Sequence, residues 1–320
     1  MDMHRRWWRI HRVSLVWMCL IIGTTASCIS SSSSSLTPFS SDGNDYNAGA
    51  WSPDGHWLAV EGSDATMIAL FSASGQAVTY LHLGCDLGAG EEDFAWLPDG
   101  RISCFRAGSA SALHLFTLNR SGQSIHEDMI PVPVAPNAFI YGLQWNPRHF
   151  WLAVLADSTP GTTTPTLYVS DLAGHRLIAP LALDGAQEMT WSPDGSTLAV
   201  VEQSGDVLLL TMQQVTGKLT VTKTRTLAVD TASDERVLWS PSGRWLVCRH
   251  GTYTGEDYLF LLATDGSGKQ VKLTSSTTDG QLVAVAWSPD GKQLIVARAS
   301  DGVLMSLDIA KLLKAKGVKP

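Results

Sequence analysis

Six times the chain runs an apolar stretch into a tryptophan, turns on a proline, and leaves on a second apolar stretch: AWSPDGHWLAV (50–60), AWLPDGRISCF (95–105), LQWNPRHFWLAV (143–154), TWSPDGSTLAV (190–200), LWSPSGRWLVC (238–248) and AWSPDGKQLIVAR (286–298). The repeat tryptophans, Trp51, Trp96, Trp145, Trp191, Trp239 and Trp287, stand 45 to 49 residues apart. Periods of this size mark supersecondary units that bury their apolar faces on one another, with four-stranded propeller blades as the leading candidate. Six units in register predict an all-β, six-bladed β-propeller of four-stranded antiparallel blades over residues 36–320. The tryptophans are expected in its core.

The turn is encoded locally. Proline presets φ at the first central position, Asp bonds to the backbone ahead of it, and Gly takes the left-handed conformation that closes the reversal. In the third repeat Asn146-Pro147-Arg148-His149 puts His149 in the place of the Gly, where His tolerates positive φ better than most residues. The second repeat has Leu97 for Ser and is one residue shorter, and the fifth has Ser242 for Asp. Along the second strands two columns align: Leu58, Ile102, Leu152, Leu198, Leu246, Leu294 and, two places on, Val60, Cys104, Val154, Val200, Cys248, Val296. That spacing places both columns on one strand face, where neighbouring blades press together. In the last unit only VLMSLDI (303–309) follows the second strand before the basic tail AKLLKAKGVKP. An outer strand is missing, and LTPFS (36–40) is expected to supply it and so remove an open sheet edge.

The W-S-P-D-G repeat followed by an apolar strand resembles the TolB-like family of WD-related β-propellers over residues 46–308. The resemblance implies six blades and a binding rather than a catalytic role. TolB carries a further N-terminal domain, where this chain has a signal-like segment and a tether, so TolB's partners do not carry over.

Residues 1–28 have the layout of a secretory signal: Arg5, Arg6, Arg9 and Arg12 precede the apolar run VSLVWMCLIIGTTA (13–26), which ends in small residues. As a helix that run reaches about 21 Å at about 1.5 Å per residue, short of a ~30 Å hydrocarbon core. Thr25-Ala26-Ser27-Cys28 resembles a bacterial lipobox, with Thr25 where Leu is usual, and makes Cys28 the lipidation candidate. Simple cleavage and an uncleaved anchor stand beside that reading, and Arg5-Arg6 is similar to a twin-arginine export signal. The Ser-rich residues 29–35 read as a flexible linker. All of these place the body of the protein outside the cytoplasm, either secreted or held at a membrane through its N-terminal segment.

At 320 residues and 44% hydrophobic, the chain has ample material for a core, and its net charge of −7 comes without the basic stripe of a nucleic-acid binder. No G-x-S-x-G, H-E-x-x-H, C-x-x-C, phosphate-cradling loop or EF-hand loop occurs, so no catalytic residues are assigned. Two readings stay open for Cys104: a disulfide with Cys85 in an oxidising compartment, or a thiol serving as a small hydrophobe like Cys248 in the same column. The histidines show no metal-site spacing. The polar stretch RHGTYTGEDY (249–258), with His250, Tyr253, Glu256 and Asp257, reads as an exposed turn or a recognition loop.

One constellation points to binding. If the first strand of each blade lines the central channel, the residues three to six places before each tryptophan gather at one channel mouth. There stand Asp45, Tyr46 and Asn47; Glu91, Glu92 and Asp93; Tyr141; Gln187 and Glu188; and Asp234, Glu235 and Arg236. Converging carboxylates repel unless a cation or basic partner group sits among them. The leading expectation is therefore a non-enzymatic binding or scaffold module for a protein or peptide of the envelope or extracellular space. The alternative is a lactonase-like hydrolase in which Asn47, Glu92, Glu188 and Glu235 hold Ca²⁺ in the channel. The bland reading is that these are solvated strand ends.

Overall fold

Each repeat folds into four antiparallel strands. In the computed structural model of the chain, residues 36–40, 44, 46–62, 67–85, 94–106, 112–134, 138–157, 165–183, 185–216, 218–229, 236–251 and 256–318 are described. The signal-like segment, the linker and Cys28 lie outside them. Blade 4 shows the pattern in full: Ala186–Trp191, Thr197–Glu202, Val207–Val215 and Lys218–Leu227 pair in chain order. Blades 1, 2, 3 and 5 repeat it. The innermost strands, each ending on a repeat tryptophan, touch one another around a closed ring.

Blade 6 closes that ring with the two ends of the chain. Leu36–Pro38 pairs antiparallel with Leu304–Asp308, joining Leu36 to Leu307 and Pro38 to Met305, and Phe39 N–H continues the ladder to Leu304 O at 2.9 Å. The strand expected from LTPFS is thus the outer strand of the last blade. The basic tail differs from its reading: Ile309–Ala315 is a helix, capped by the Asp308 carboxylate accepting from Lys311 N–H at 2.8 Å. Its Leu313 is buried against blades 5 and 6.

The core consists of six apolar clusters, one at each junction between neighbouring blades. Every residue of the two second-strand columns, from Leu58 and Val60 to Leu294 and Val296, is fully buried. In each blade both column residues enter the same cluster. Trp96, Trp145, Trp191 and Trp287 are buried, while Trp51 and Trp239 are half-buried. Three indoles also bond across a junction. Trp96 Nε1 donates to Ala50 O at 3.0 Å and Trp239 Nε1 to Thr190 O at 3.1 Å. Trp145 Nε1 donates to Ser103 Oγ at 2.9 Å, and that hydroxyl donates on to Ala95 O. In each case the carbonyl reached is the one just before the preceding blade's tryptophan.

The turns carry the bonds that the sequence implies. In blades 1, 4 and 6, Ser52, Ser192 and Ser288 donate Oγ to the Asp54, Asp194 and Asp290 carboxylates at 2.6, 2.6 and 2.8 Å. Each serine also accepts the N–H of the first residue of the next strand, and each Asp accepts the N–H two places on. Gly55, Gly195 and Gly291 sit at φ of 71°, 72° and 69°. The expectation for His149 is corrected, because among described residues only Thr216 is a non-glycine at positive φ. Asn146 Oδ1 accepts from both Arg148 N–H and His149 N–H, at 2.9 and 3.1 Å, so a side chain rather than a left-handed residue makes that reversal. His149 stacks on Trp151 with ring centroids 4.1 Å apart.

Cys85 and Cys104 form a disulfide with Cα atoms 5.7 Å apart, which decides between the two readings of Cys104 and ties blade 1's exit to blade 2. Cys248 is a free, fully buried thiol, its pKa pushed well up by burial and secondarily by the Glu188 carboxylate.

Two outcomes follow from the closure and the turns. A chain beginning at Asn44 loses Leu36–Pro38 and melts lower than the full chain, by about 2–4 °C per kcal/mol lost; an unchanged melting temperature would refute the closure. The second concerns acid. Hydrogen bonds hold the Asp54, Asp194 and Asp290 carboxyls below 3.8; Ser52 is the main cause at Asp54 and the Lys292 N–H at Asp290, and at Asp194 bonds from Ser192 and Ser196 outweigh an opposing burial effect. Depressed carboxylates contribute stability that is present above the unfolded value and lost as pH falls through the folded ones. Thermal melts should therefore show the wild type losing stability more steeply than the triple Asp→Asn variant below pH 3.8.

Candidate functional site

The innermost strands carry a β-bulge where the channel-mouth residues lie. The register skips one residue between Tyr46 and Ala48, between Ile140 and Gly142, and between Ala186 and Glu188. The skipped residues, Asn47, Tyr141 and Gln187, each stand four places before the blade's tryptophan. A bulge re-aims side chains relative to plain alternation, so these positions part company.

Tyr141 turns away from the expected group. Its hydroxyl donates to Asp157 Oδ1 at 3.1 Å, its ring packs edge-on to Phe139, and the side chain joins the cluster between blades 3 and 4. Burial first, and then the Asp157 bond, pushes its pKa up to about 12. Tyr46 is likewise core, edge-on to Phe71. Asp45, Glu91, Glu92, Asp93, Asp234 and Glu235 lie outside the described residues, as does the Asn47 side chain.

Glu188 and Arg236 do come together. Arg236 Nε lies 3.8 Å from Glu188 Oε1, with the two residues 7% and 9% exposed respectively. The guanidinium extends from blade 5 past its neighbour, where Nη1 donates to Val285 O of blade 6 and Gly49 O of blade 1, both at 3.4 Å. Arg236 thus touches the inner strands of blades 1 and 6 while it faces a carboxylate of blade 4. Toward the turn face it lines a cavity of about 200 Å³ with Gly49, Trp51, Ala95, Gln144 and Pro147.

This geometry bears on the Ca²⁺ expectation. Of the four residues proposed to hold the ion, Glu188 is the one whose side chain is described, and it has a guanidinium in ion-pair range. A second cation there would be opposed by the first, so the described residues do not fit Ca²⁺. Of the loop at 249–258, Tyr253 lies outside the described residues, while Asp257 is buried in a two-point ion pair with Arg249, at 3.0 and 2.6 Å, and Glu256 bonds Lys272 and Ser275. His250 stacks on Tyr258 with centroids 4.9 Å apart. No described helix is long and apolar enough to cross a membrane.

Removing one partner of a buried ion pair leaves the other charge unanswered, at a cost of about 3–5 kcal/mol. Urea unfolding of Arg236→Gln should show a loss of that order, and the Glu188→Gln, Arg236→Gln double variant should recover part of it. Additive losses would mean that the two groups do not interact.

No family model matches the chain, and no curated protein matches it. Solved structures do. A gluconolactonase of Xanthomonas campestris is similar at 15% identity and a TM-score of 0.59, over 85% of this chain and 89% of that one. Hydrazine synthase of Kuenenia stuttgartiensis follows at 17% identity and a TM-score of 0.56, over 88% and 81%. A chain of the mitotic checkpoint complex superposes at 15% identity and a TM-score of 0.50, over 93% and 99%. At these identities the likeness is one of fold, and this chain is a six-bladed β-propeller.

Proposed function

We propose that the protein is an exported β-propeller, held at a membrane through residues 1–35, that acts as a non-enzymatic binding or scaffold module for an envelope or extracellular partner. The observation that carries this reading is Arg236. Its guanidinium lies in ion-pair range of Glu188 and bonds carbonyls of blades 1 and 6, so the buried carboxylate of that group is already matched by a cation, which favours binding through the ring faces. The Cys85–Cys104 disulfide supports the export half, because such bonds persist in oxidising compartments. The signal-like residues 1–28, with Cys28 as the lipidation candidate, supply the route. Membership of the TolB-like group belongs to the same proposal and rests on the six W-S-P-D-G repeats. Protein partners are in keeping with the fold's use in assemblies such as the mitotic checkpoint complex.

A lactonase-like hydrolase using Ca²⁺ is the competing reading, and likeness to a gluconolactonase is what favours it. The acidic residues 91–93, 234 and 235 distinguish the two. In crosslinked pull-downs from the native envelope, the wild-type chain should capture a defined partner that a variant neutralised at those five positions does not, with Glu188 kept so that its pair with Arg236 survives. Capture by neither chain, with a Ca²⁺-dependent rise in melting temperature of the wild type alone, would replace this proposal with the hydrolase. Cys28→Ser should move the protein from the membrane to the soluble fraction, and an unchanged distribution would refute lipid anchoring.

A further inference from the structure

On the face that carries the proline turns, away from the axis, blades 4 and 5 leave a cleft of about 350 Å³. Its walls combine three cationic side chains from different parts of the chain: Arg148 of the blade 3 turn, and Lys223 and Arg225 of the outer strand of blade 4. Trp239, half-buried, and Leu209 give it an apolar side. The sequence in general runs the other way, at a net charge of −7.

Two of the cations are held in place by backbone. Arg148 Nε donates to Pro193 O at 3.0 Å, and Arg225 donates to the carbonyls of Thr264 and Asp265, the latter at 2.9 Å. Neutral carbonyls orient a guanidinium without cancelling its charge. Lys223 is exposed, and its side chain makes no hydrogen bond or ion pair among the described residues. The cleft's one carboxylate, Asp194, is committed to its own turn: Oδ1 accepts from Ser192 Oγ, Ser196 N–H and Ser196 Oγ. Three positive charges therefore face one negative charge in a concave space, where low-dielectric walls concentrate the field. Like cations brought together with nothing between them repel, and an anion among them turns that cost into attraction.

We propose that this cleft is a binding site for a small oxyanion ligand, phosphate- or carboxylate-bearing with at least two negative charges, whose apolar portion lies against Trp239. The volume is at the lower end of small-molecule pockets. Arg148, bonded through Nε alone, keeps its terminal nitrogens for paired oxygens, Arg225 adds its fixed charge and the N–H groups its two carbonyls leave over, and Lys223 adds a mobile point charge. The site lies between blades 4 and 5 and owes nothing to the channel residues, so it stands or falls apart from the proposed partner surface.

The test is calorimetric titration of the full chain with pyrophosphate and with citrate, each against sodium chloride at matched ionic strength. Saturable one-to-one binding by either anion is expected, and the two arms separate a phosphate site from a carboxylate site. Lys223→Ala, which removes an exposed side chain without a described partner, should weaken binding about tenfold. Asp194→Asn keeps a turn acceptor while removing the one negative charge, and should tighten it. No saturable heat with either anion, or equal affinities in wild type, Lys223→Ala and Asp194→Asn, would overturn the proposal.

Discussion

Everything in this molecule hangs on the contact between one blade and the next. A sheet with two apolar faces cannot stay in water alone, and here each blade covers its neighbour through a tryptophan from the innermost strand and a pair from the second, Leu and Val in four blades, Ile102 with Cys104 in blade 2 and Leu246 with Cys248 in blade 5. A fully buried tryptophan withdraws about 150–250 Å², roughly 4–6 kcal/mol as an upper bound. Repeated at every junction, that contact fixes the blade angle, and the blade angle fixes the number that closes the ring. Blades 4 and 6 show the division of labour within a repeat. The serine and aspartate of the turn set the hairpin, the column residues set the junction, and neither needs the other to be specified.

The fold was legible because it is written in repeats. A period-two column such as Leu198 and Val200 says which way a strand faces, and six copies remove the ambiguity that one short apolar run would leave. The closing strand LTPFS could be found by counting strands. What the sequence hid is local. Nothing in YGLQW announces that Tyr141 occupies a bulge and swings to Asp157 rather than to the channel, since a bulge is a property of the pair of strands and not of one. The helix at Ile309–Ala315 leaves a signal, an Asp followed by apolar residues at helical spacing, within a tail otherwise marked by its lysines. The long hairpin at Val207–Val215 and Lys218–Leu227 is hidden for a similar reason: KLTVTKT is polar on one face and reads as loop until its partner strand is known.

The candidate site was legible by half. Position relative to the tryptophan brought Glu188 and Arg236 onto one list, and the structure joins them. Their meaning changed on contact: the arginine listed with the acidic residues is the group that answers the acid, and it also bonds Gly49 O and Val285 O. The cationic cleft could not have been read at all, because Arg148, Lys223 and Arg225 belong to no motif and share a wall only after three blades have packed.

Ring closure also orders events in time. Within a blade every pairing is between near neighbours in sequence, but Leu36 must find Leu307. Loop closure is slowest for such distant partners. During synthesis the first strand leaves the ribosome long before its mate exists, so blades 1 to 5 can each form as they emerge while residues 36–38 wait. The last backbone ladder to form is the one that makes the assembly a circle, and until then the Leu304–Asp308 strand of blade 6 stands as an open sheet edge.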